Sequence, residues 1–424
     1  MTAPDPDRRS TSSLGRRFWQ LWAASAAANL ADGLSLVAFP LLAIALTDDA
    51  RLIALVTVFR FLPFLLIGLP AGVLLDRSDR RNIAIVAQGV RATTVAVVAV
   101  NVWRSGGSMP LLVAAAFLVG AGEVLTDGGL PALVRQLVRR DQLEVANGRF
   151  AATQTVTNIF VGPPLGAALF ELEPAAPFIA TVALFVVAGV ILARMPGSYR
   201  PERSTSTEAE PSTGWRGLVH DISVGLRYVL GHRVLRPLAF AVMAFSFVGQ
   251  ATSAVYVILA VERFGLDGVG FGVLISVRGV TSVVMSFGVA MLVRRTSHST
   301  SMIFAVVTMT IAQLILGFTT VVALAFVAAL INGLTDPAWN VVSSTVRQRL
   351  VPDEVFGRMM TAYLFIAWSM NPVGALVGGL IAHRWGAQWV SVLAAVVVGS
   401  LLVTGRRLFR AVDDAMADDA ATPT

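Results

Sequence analysis

The 424-residue chain has no cysteine and no lysine, and only 14% of its residues are charged. Without cysteine there is no disulfide scaffold and no thiolate metal centre. Without lysine no G-x-x-x-x-G-K-S/T phosphate loop exists, so the chain has no such means of hydrolysing ATP. Four scattered histidines give no metal-ligand spacing. No G-x-S-x-G nucleophile element occurs either. A soluble domain carries about 25% charged residues. The chain therefore lacks the polar surface that a soluble enzyme or a disordered protein needs. No enzyme activity, cofactor or metal is expected.

What fills the chain is apolar residues, 55% of the total, with a mean hydropathy of +0.72. A membrane-crossing helix takes about 20 of them. Runs long enough to cross lie at 18–46, 52–75, 82–103, 110–134, 147–170 and 176–195. They resume at 234–261, 268–293, 300–318, 321–345, 360–382 and 388–404. The expectation is an all-α membrane protein with twelve transmembrane helices in two six-helix pseudo-repeat halves. The halves occupy 1–195 and 234–404. Between them, 196–233 reads as a cytoplasmic linker, and 405–424 as a cytoplasmic tail. Within the linker, Pro201-Glu202-Arg203-Ser204-Thr205-Ser206-Thr207 has flexible composition. From Trp215, apolar residues at helical spacing predict a surface-lying amphipathic helix.

The net charge of +7 comes from arginine. These arginines fall in short loops on one side, Arg77, Arg80, Arg81, Arg294, Arg295, Arg347 and Arg349 among them. Only Arg51, Arg104, Arg263 and Arg384 lie at the opposite mouths. The asymmetry places both termini in the cytoplasm of a cell (inner) membrane and removes any need for a nucleic acid partner.

The halves repeat. At a shift near 209, Thr126-Asp127 answers to Thr335-Asp336, and Gly148-Arg149 to Gly357-Arg358. Pro164-Leu165-Gly166-Ala167 answers to Pro372-Val373-Gly374-Ala375 after a one-residue slip. Earlier in the halves the shift is 218, where Arg60 matches Arg278 and Arg77 matches Arg295. Parallel duplication is the architecture in which a substrate binds between rocking halves.

The turn after the second span reads Gly72-Val73-Leu74-Leu75-Asp76-Arg77-Ser78-Asp79-Arg80-Arg81. This G-x-x-x-D-R-x-x-R-R run resembles the signature loop of the major facilitator superfamily. The resemblance implies that Gly72, Asp76, Arg77 and Arg80 form a latch holding the halves in an outward-facing state. Asp79 stands where that family usually has glycine; aspartate tolerates left-handed turns better than most residues, so the turn is expected to survive with a looser latch. The fifth span carries Gly162-Pro163-Pro164-Leu165-Gly166. Gly162, Pro163 and Gly166 resemble the G-P-x-x-G element of the family's exporters. Leu130-Pro131-Ala132-Leu133-Val134, Ala146-Asn147-Gly148 and Gly225-Leu226-Arg227-Tyr228-Val229-Leu230 look like its drug and siderophore branch, which includes macrolide efflux proteins.

Ionisable residues inside spans cost several kcal/mol unless paired or hydrated, so each is a functional candidate. Asp32 lies ~21 Å from the cytoplasmic end of its helix, with Asn29 nearly a turn below. It suits proton exchange, substrate binding or a static pair with Arg60. Glu123 lies ~16 Å deep on the fourth span, where many superfamily exporters carry arginine, so it points to a cationic substrate, a second proton site or a structural pair within the bundle. Asp127 is one turn nearer the cytoplasm and Arg91 at similar depth, so the two are placed to pair. The resemblance implies that an acid at this place on the fourth span is linked to the loop arginines, which assigns Asp127, with Arg91, to the latch. Asp336 is read as the duplicate of Asp127. Arg60 and Arg278 occupy matching places, to hold an anion or pair with acids. Further cavity candidates are Gln154, Asn158, Gln250, Gln313, Asn332 and Asn371, with Trp339 and Trp368.

The function this predicts is proton-coupled export of an amphipathic small molecule (drug, antibiotic or siderophore) by a monomer in the lipid bilayer. The alternatives are an importer or uniporter of a small metabolite, and a non-transporting membrane sensor or assembly factor.

Overall fold

The computed structural model describes residues 14–139, 142–197, 199 and 215–421, and the regular structure among them is all helical. The first half contains α1 (Arg16–Leu46), α2 (Ala50–Leu66), α3 (Gly68–Arg77), α4 (Arg80–Ser105) and α5 (Met109–Leu137). It continues with α6 (Leu143–Gln154), α7 (Gly162–Leu172) and α8 (Ala176–Ala193). After α9 (Trp215–Gly231) come α10 (Leu235–Ile258), α11 (Gly268–Arg295), α12 (His298–Phe318), α13 (Val322–Gly333) and α14 (Thr335–Leu350). The chain ends with α15 (Asp353–Trp385), α16 (Ala387–Thr404) and α17 (Arg406–Ala421). Among the described residues, ten helical stretches are long and apolar enough to cross a membrane. The expected spans 52–75 and 147–170 are also helical, each interrupted once.

Both interruptions trace to proline, which has no N–H to continue the ladder. Pro70 leaves the Leu66 carbonyl without its partner, and the helix breaks at Ile67 between α2 and α3. Pro163 and Pro164 do the same to the carbonyls of Ile159 and Phe160. There Thr155–Val161 wind as a π-helix, with the Gly162 N–H reaching back five residues to Thr157. Ser276 of α11 sits 3.0 Å from the freed Phe160 carbonyl, so a hydroxyl from the other half takes up this acceptor.

This irregular segment also packs on α1. A Cβ on Gly33 would lie 2.7 Å from the carbonyl oxygens of Thr157 and Asn158, and one on Gly162 2.5 Å from the Gly33 Cα. A Cβ on Gly166 would lie 2.8 Å from the Leu34 carbonyl. The crossing therefore exists only because small residues face each other. It fixes the α1 backbone at the residue after Asp32.

The halves are closed against each other toward one end. Gly379 of α15 meets Ala54 of α2, and Gly272 of α11 meets the Pro163 carbonyl. Glu171 accepts a 2.9 Å hydrogen bond from the Val269 N–H at the start of α11. His383 Nδ1 lies 3.1 Å from Asp49 Oδ1. Arg51 hydrogen-bonds the Asp49 carboxyl and holds it down at about 2, so it is ionised there. Toward the arginine-rich end, Phe64 and Trp368 touch with ring centroids 4.3 Å apart. Beyond them, Gly68 and Gly72 of α3 have nothing within 4 Å of a Cβ position.

The α3–α4 turn needs no left-handed residue. Asp79 has φ −69° and caps α4, accepting from the N–H groups of Arg81 and Asn82. Its other oxygen accepts from the Tyr199 N–H at 2.9 Å, tying the turn to the segment after α8. The expected amphipathic helix forms as α9 and packs on α15, with Gly225 against the Arg358 carbonyl. The stretch from Pro201 to Thr207 lies outside the described residues. Past residue 405, α17 buries Leu408, Phe409 and Val412, and Asp413 caps α12 by accepting from the Ser299 N–H at 3.0 Å.

Candidate functional site

Asp32 is 6% exposed on α1. Arg91 of α4, itself 1% exposed, donates to it through Nη2, and Arg60 of α2 reaches the same oxygen at 3.4 Å. The same Arg60 nitrogen donates to Glu123 Oε2 of α5 at 2.8 Å. Four charges from four helices thus form one chain, Arg91–Asp32–Arg60–Glu123, whose sum is zero. Burial is tolerable because every ion is paired. The sequence Gly120-Ala121-Gly122-Glu123 makes the room. A Cβ on Gly122 would sit 2.5 Å from the Arg91 side chain, and one on Gly120 2.2 Å from the Arg60 carbonyl. The Arg91 guanidinium stacks on Phe185 of α8, 4.1 Å from the ring centroid.

One expectation changes here. Arg91 pairs with Asp32 and not with Asp127, because its side chain crosses Gly122 toward α1. Asp127 is exposed instead, on the wall of a 30 Å³ cavity shared with Asn29, Asp32, Gln88 and Arg91. That volume holds about one water. Asn29 donates to the Ser25 carbonyl at 2.8 Å, along its own helix. As for the loop, Arg77 is exposed, and Arg80 lines a 310 Å³ cavity with Gly68, Gly72 and Arg135. The Asp76 side chain lies outside what the structure describes.

The second half repeats the pattern in diluted form. Val322–Leu350 and α5 are both 29 residues long, in register at a shift of 213 at both ends. That shift matches Glu123 with Asp336, and the structure agrees: Arg278 pairs with Asp336 at 2.8 Å as Arg60 pairs with Glu123. Gly333, three residues before Asp336, lies against the Arg278 carbonyl as Gly120 lies against that of Arg60. Asp336 is therefore the counterpart of Glu123, not of Asp127. The matching of Thr126-Asp127 with Thr335-Asp336 is four residues out of register for this helix. At the remaining places the second half is neutral. Gln250 stands for Asp32, Met309 for Arg91 and Asn340 for Asp127.

A 410 Å³ cavity opens in this second half. Gln250, Gln313, Asn332, Asn371, Trp339 and Trp368 all line it, with Arg278 and Asp336. Of the amides expected in a cavity, Gln154 and Asn158 lie elsewhere, Asn158 in the crossing with Gly33. Sequence reasoning missed Phe245, Arg347 and Tyr363, which also line this cavity. The arginine was read only as a loop charge. A 170 Å³ cavity beneath the closed end is shared by the halves, with Arg60 and Arg278 on its walls.

Comparison with known proteins accords with this geometry. Over 432 aligned residues the chain is 24% identical to the multidrug efflux pump Tap of Mycobacterium tuberculosis, covering 97% of this chain and 98% of Tap. It is 22% identical to macrolide efflux protein A of Streptococcus pyogenes, covering 90% of this chain and 93% of that protein. A bacterial homologue of the human lysosomal transporter Spinster superposes with a TM-score of 0.69 at 14% identity, covering 97% of this chain and 100% of that one. The nucleoside transporter NupG, as its D323A mutant, gives 0.74 at 12% identity, covering 93% and 99%. These structures share the fold. The family model described as Major Facilitator Superfamily matches residues 21–370, and the chain belongs to that superfamily of membrane transporters.

Proposed function

We propose that this chain is a twelve-span, proton-coupled exporter of amphipathic small molecules, acting as a monomer in the cell membrane. With the arginine-rich end cytoplasmic, the molecule is closed outside and open inside. An exporter loads substrate in that state. The names of the efflux relatives support the direction. The observation that carries the reading is Asp32, held between two guanidiniums and bordered by the small cavity that reaches Asp127.

A proton on Asp32 or Glu123 removes one link of the ion chain and leaves a buried guanidinium short of a partner. Protonation and helix arrangement are then coupled, because each link joins different helices. Protons entering from outside favour one arrangement, and their release through the Asp127 cavity favours the other. Gly72, Asp76, Arg77 and Arg80 act as the latch when the cytoplasmic end closes.

The test is dye efflux from proteoliposomes and energised cells, with and without a protonophore. Efflux should collapse with the proton gradient. Asp32→Asn should abolish gradient-driven efflux while the folded protein stays in the membrane. Unchanged efflux by that variant removes Asp32 from the mechanism. Net inward movement replaces the exporter with an importer or uniporter.

A further inference from the structure

Arg347 differs from every other buried arginine described above. It is 7% exposed, on α14, and no carboxylate among the described residues pairs with it. Its Nη1 donates to Ser343 Oγ at 2.6 Å, and its guanidinium lies 3.9 Å from the centroid of the Tyr363 ring. Its Nε is buried with no acceptor, as is that of Arg91, so the difference lies in the missing carboxylate. An arginine that only sets membrane orientation extends to water, as the exposed Arg349 does two residues on. The register with α5 places Val134 at the matching position in the first half, so this charge is no relic of the duplication.

Three more buried polar atoms without partners belong to residues that line the same 410 Å³ cavity. They are the indole N–H of Trp339 and the side-chain oxygens of Gln250 and Gln313. Trp339 also stacks on Phe245, with ring centroids 4.4 Å apart and planes at 24°. Buried polar groups in native proteins are nearly always satisfied, so a wall with several open valences is incomplete without an occupant. Water can fill hydrogen bonds but supplies no counter-charge for Arg347.

The geometry points to a binding subsite for the carboxylate of an amphipathic aromatic substrate, with Arg347 taking the anion and the Phe245–Trp339 pair flanking the ring. This rests on the exporter reading, and it gives that reading a substrate class. Charge-assisted bonds to a guanidinium are about twice as strong as neutral ones, which makes the carboxylate the selective group. An amphipathic anion also describes an acidic phospholipid, and the test separates the two.

The probe is a xanthene dye with a free carboxylate, compared with its methyl ester. Binding to the purified full-length protein is measured in nanodiscs of phosphatidylcholine. Wild type should bind the acid about ten-fold more tightly than the ester. Arg347→Gln should erase that preference while leaving ester affinity unchanged, and Arg347→Lys should restore part of it. Equal affinity of wild type for the two dyes, or binding of neither, overturns the subsite. So does loss of both dyes in Arg347→Gln, which reveals a structural arginine. A preference abolished by added phosphatidylglycerol assigns the guanidinium to lipid and also overturns it. Dye flux in proteoliposomes is scored separately. Selective binding without any flux sinks the exporter and leaves the subsite standing.

Discussion

Asp32 accepts from two guanidiniums that belong to different helices, so removing any one of the three leaves charge unpaired. Losing one member of a buried pair costs about 3–5 kcal/mol. The second half shows how the same fold tolerates neutrality, with Gln250 and Met309 at the corresponding places. Asp32→Gln and Arg91→Met are each expected to lower the thermal unfolding midpoint of the solubilised protein. The double variant should recover most of that loss, yet fail to couple efflux to the gradient. A double variant as unstable as the two singles combined would mean the residues do not act as a pair. Much of this cluster was legible in the sequence, because charges within apolar runs are few and each needs a partner. Arg60 with Asp32 followed from that reasoning. Arg91 with Asp32 did not, since spacing along a helix gives depth but says little about which neighbour a side chain faces. The decisive signal was the glycine at 122, which opens a path for Arg91 across α5.

At the scale of the element, the crossing of α1 with the π-helical segment is a tightly constrained contact beside the site. Gly33→Ala would push a methyl group into two backbone carbonyls at 2.7 Å, and backbone gives way less readily than a side chain. A loss of about 1–3 kcal/mol is expected from such overpacking. Gly89→Ala, with nothing within 4 Å, should instead be neutral or stabilising by about 0.5–1 kcal/mol. Thermal unfolding of the two variants in the same detergent checks this, and equal losses would deny the crossing its role. Ten of the twelve expected spans, each a helical stretch long and apolar enough to cross, were legible from apolar length, and the Gly-Pro-Pro sequence marked where the expected fifth is irregular. The form of the irregularity was not legible. A proline pair announces missing N–H groups, whereas the extra residue per turn and the Ser276 hydroxyl that meets the Phe160 carbonyl arise from packing.

At the scale of the whole molecule, the duplication was visible in scattered matches, but its register was not. The four-residue difference in α5 against α13–α14 moved Asp336 from one counterpart to another, and only the Arg278–Asp336 pair resolved it. The closed end was likewise beyond the sequence, because Gly379 with Ala54 and His383 with Asp49 join residues far apart in the chain. The charges of the ion chain, the 30 Å³ cavity and the 410 Å³ cavity are Asp32, Glu123, Asp127 and Asp336 against Arg60, Arg91, Arg278 and Arg347. Four negatives balance four positives, and this has an electrical consequence. A membrane potential does about 2.3 kcal/mol of work per unit charge per 100 mV, but only on net charge that moves. The empty carrier should therefore swing between its two states almost without regard to voltage. Recordings on supported membranes are expected to show negligible charge displacement after a voltage step in the absence of dye or a pH jump, and a large one would contradict it. Only a captured proton or an anionic passenger gives the field something to push, so the voltage acts on both loaded crossings of the exchange and hardly at all on an empty one.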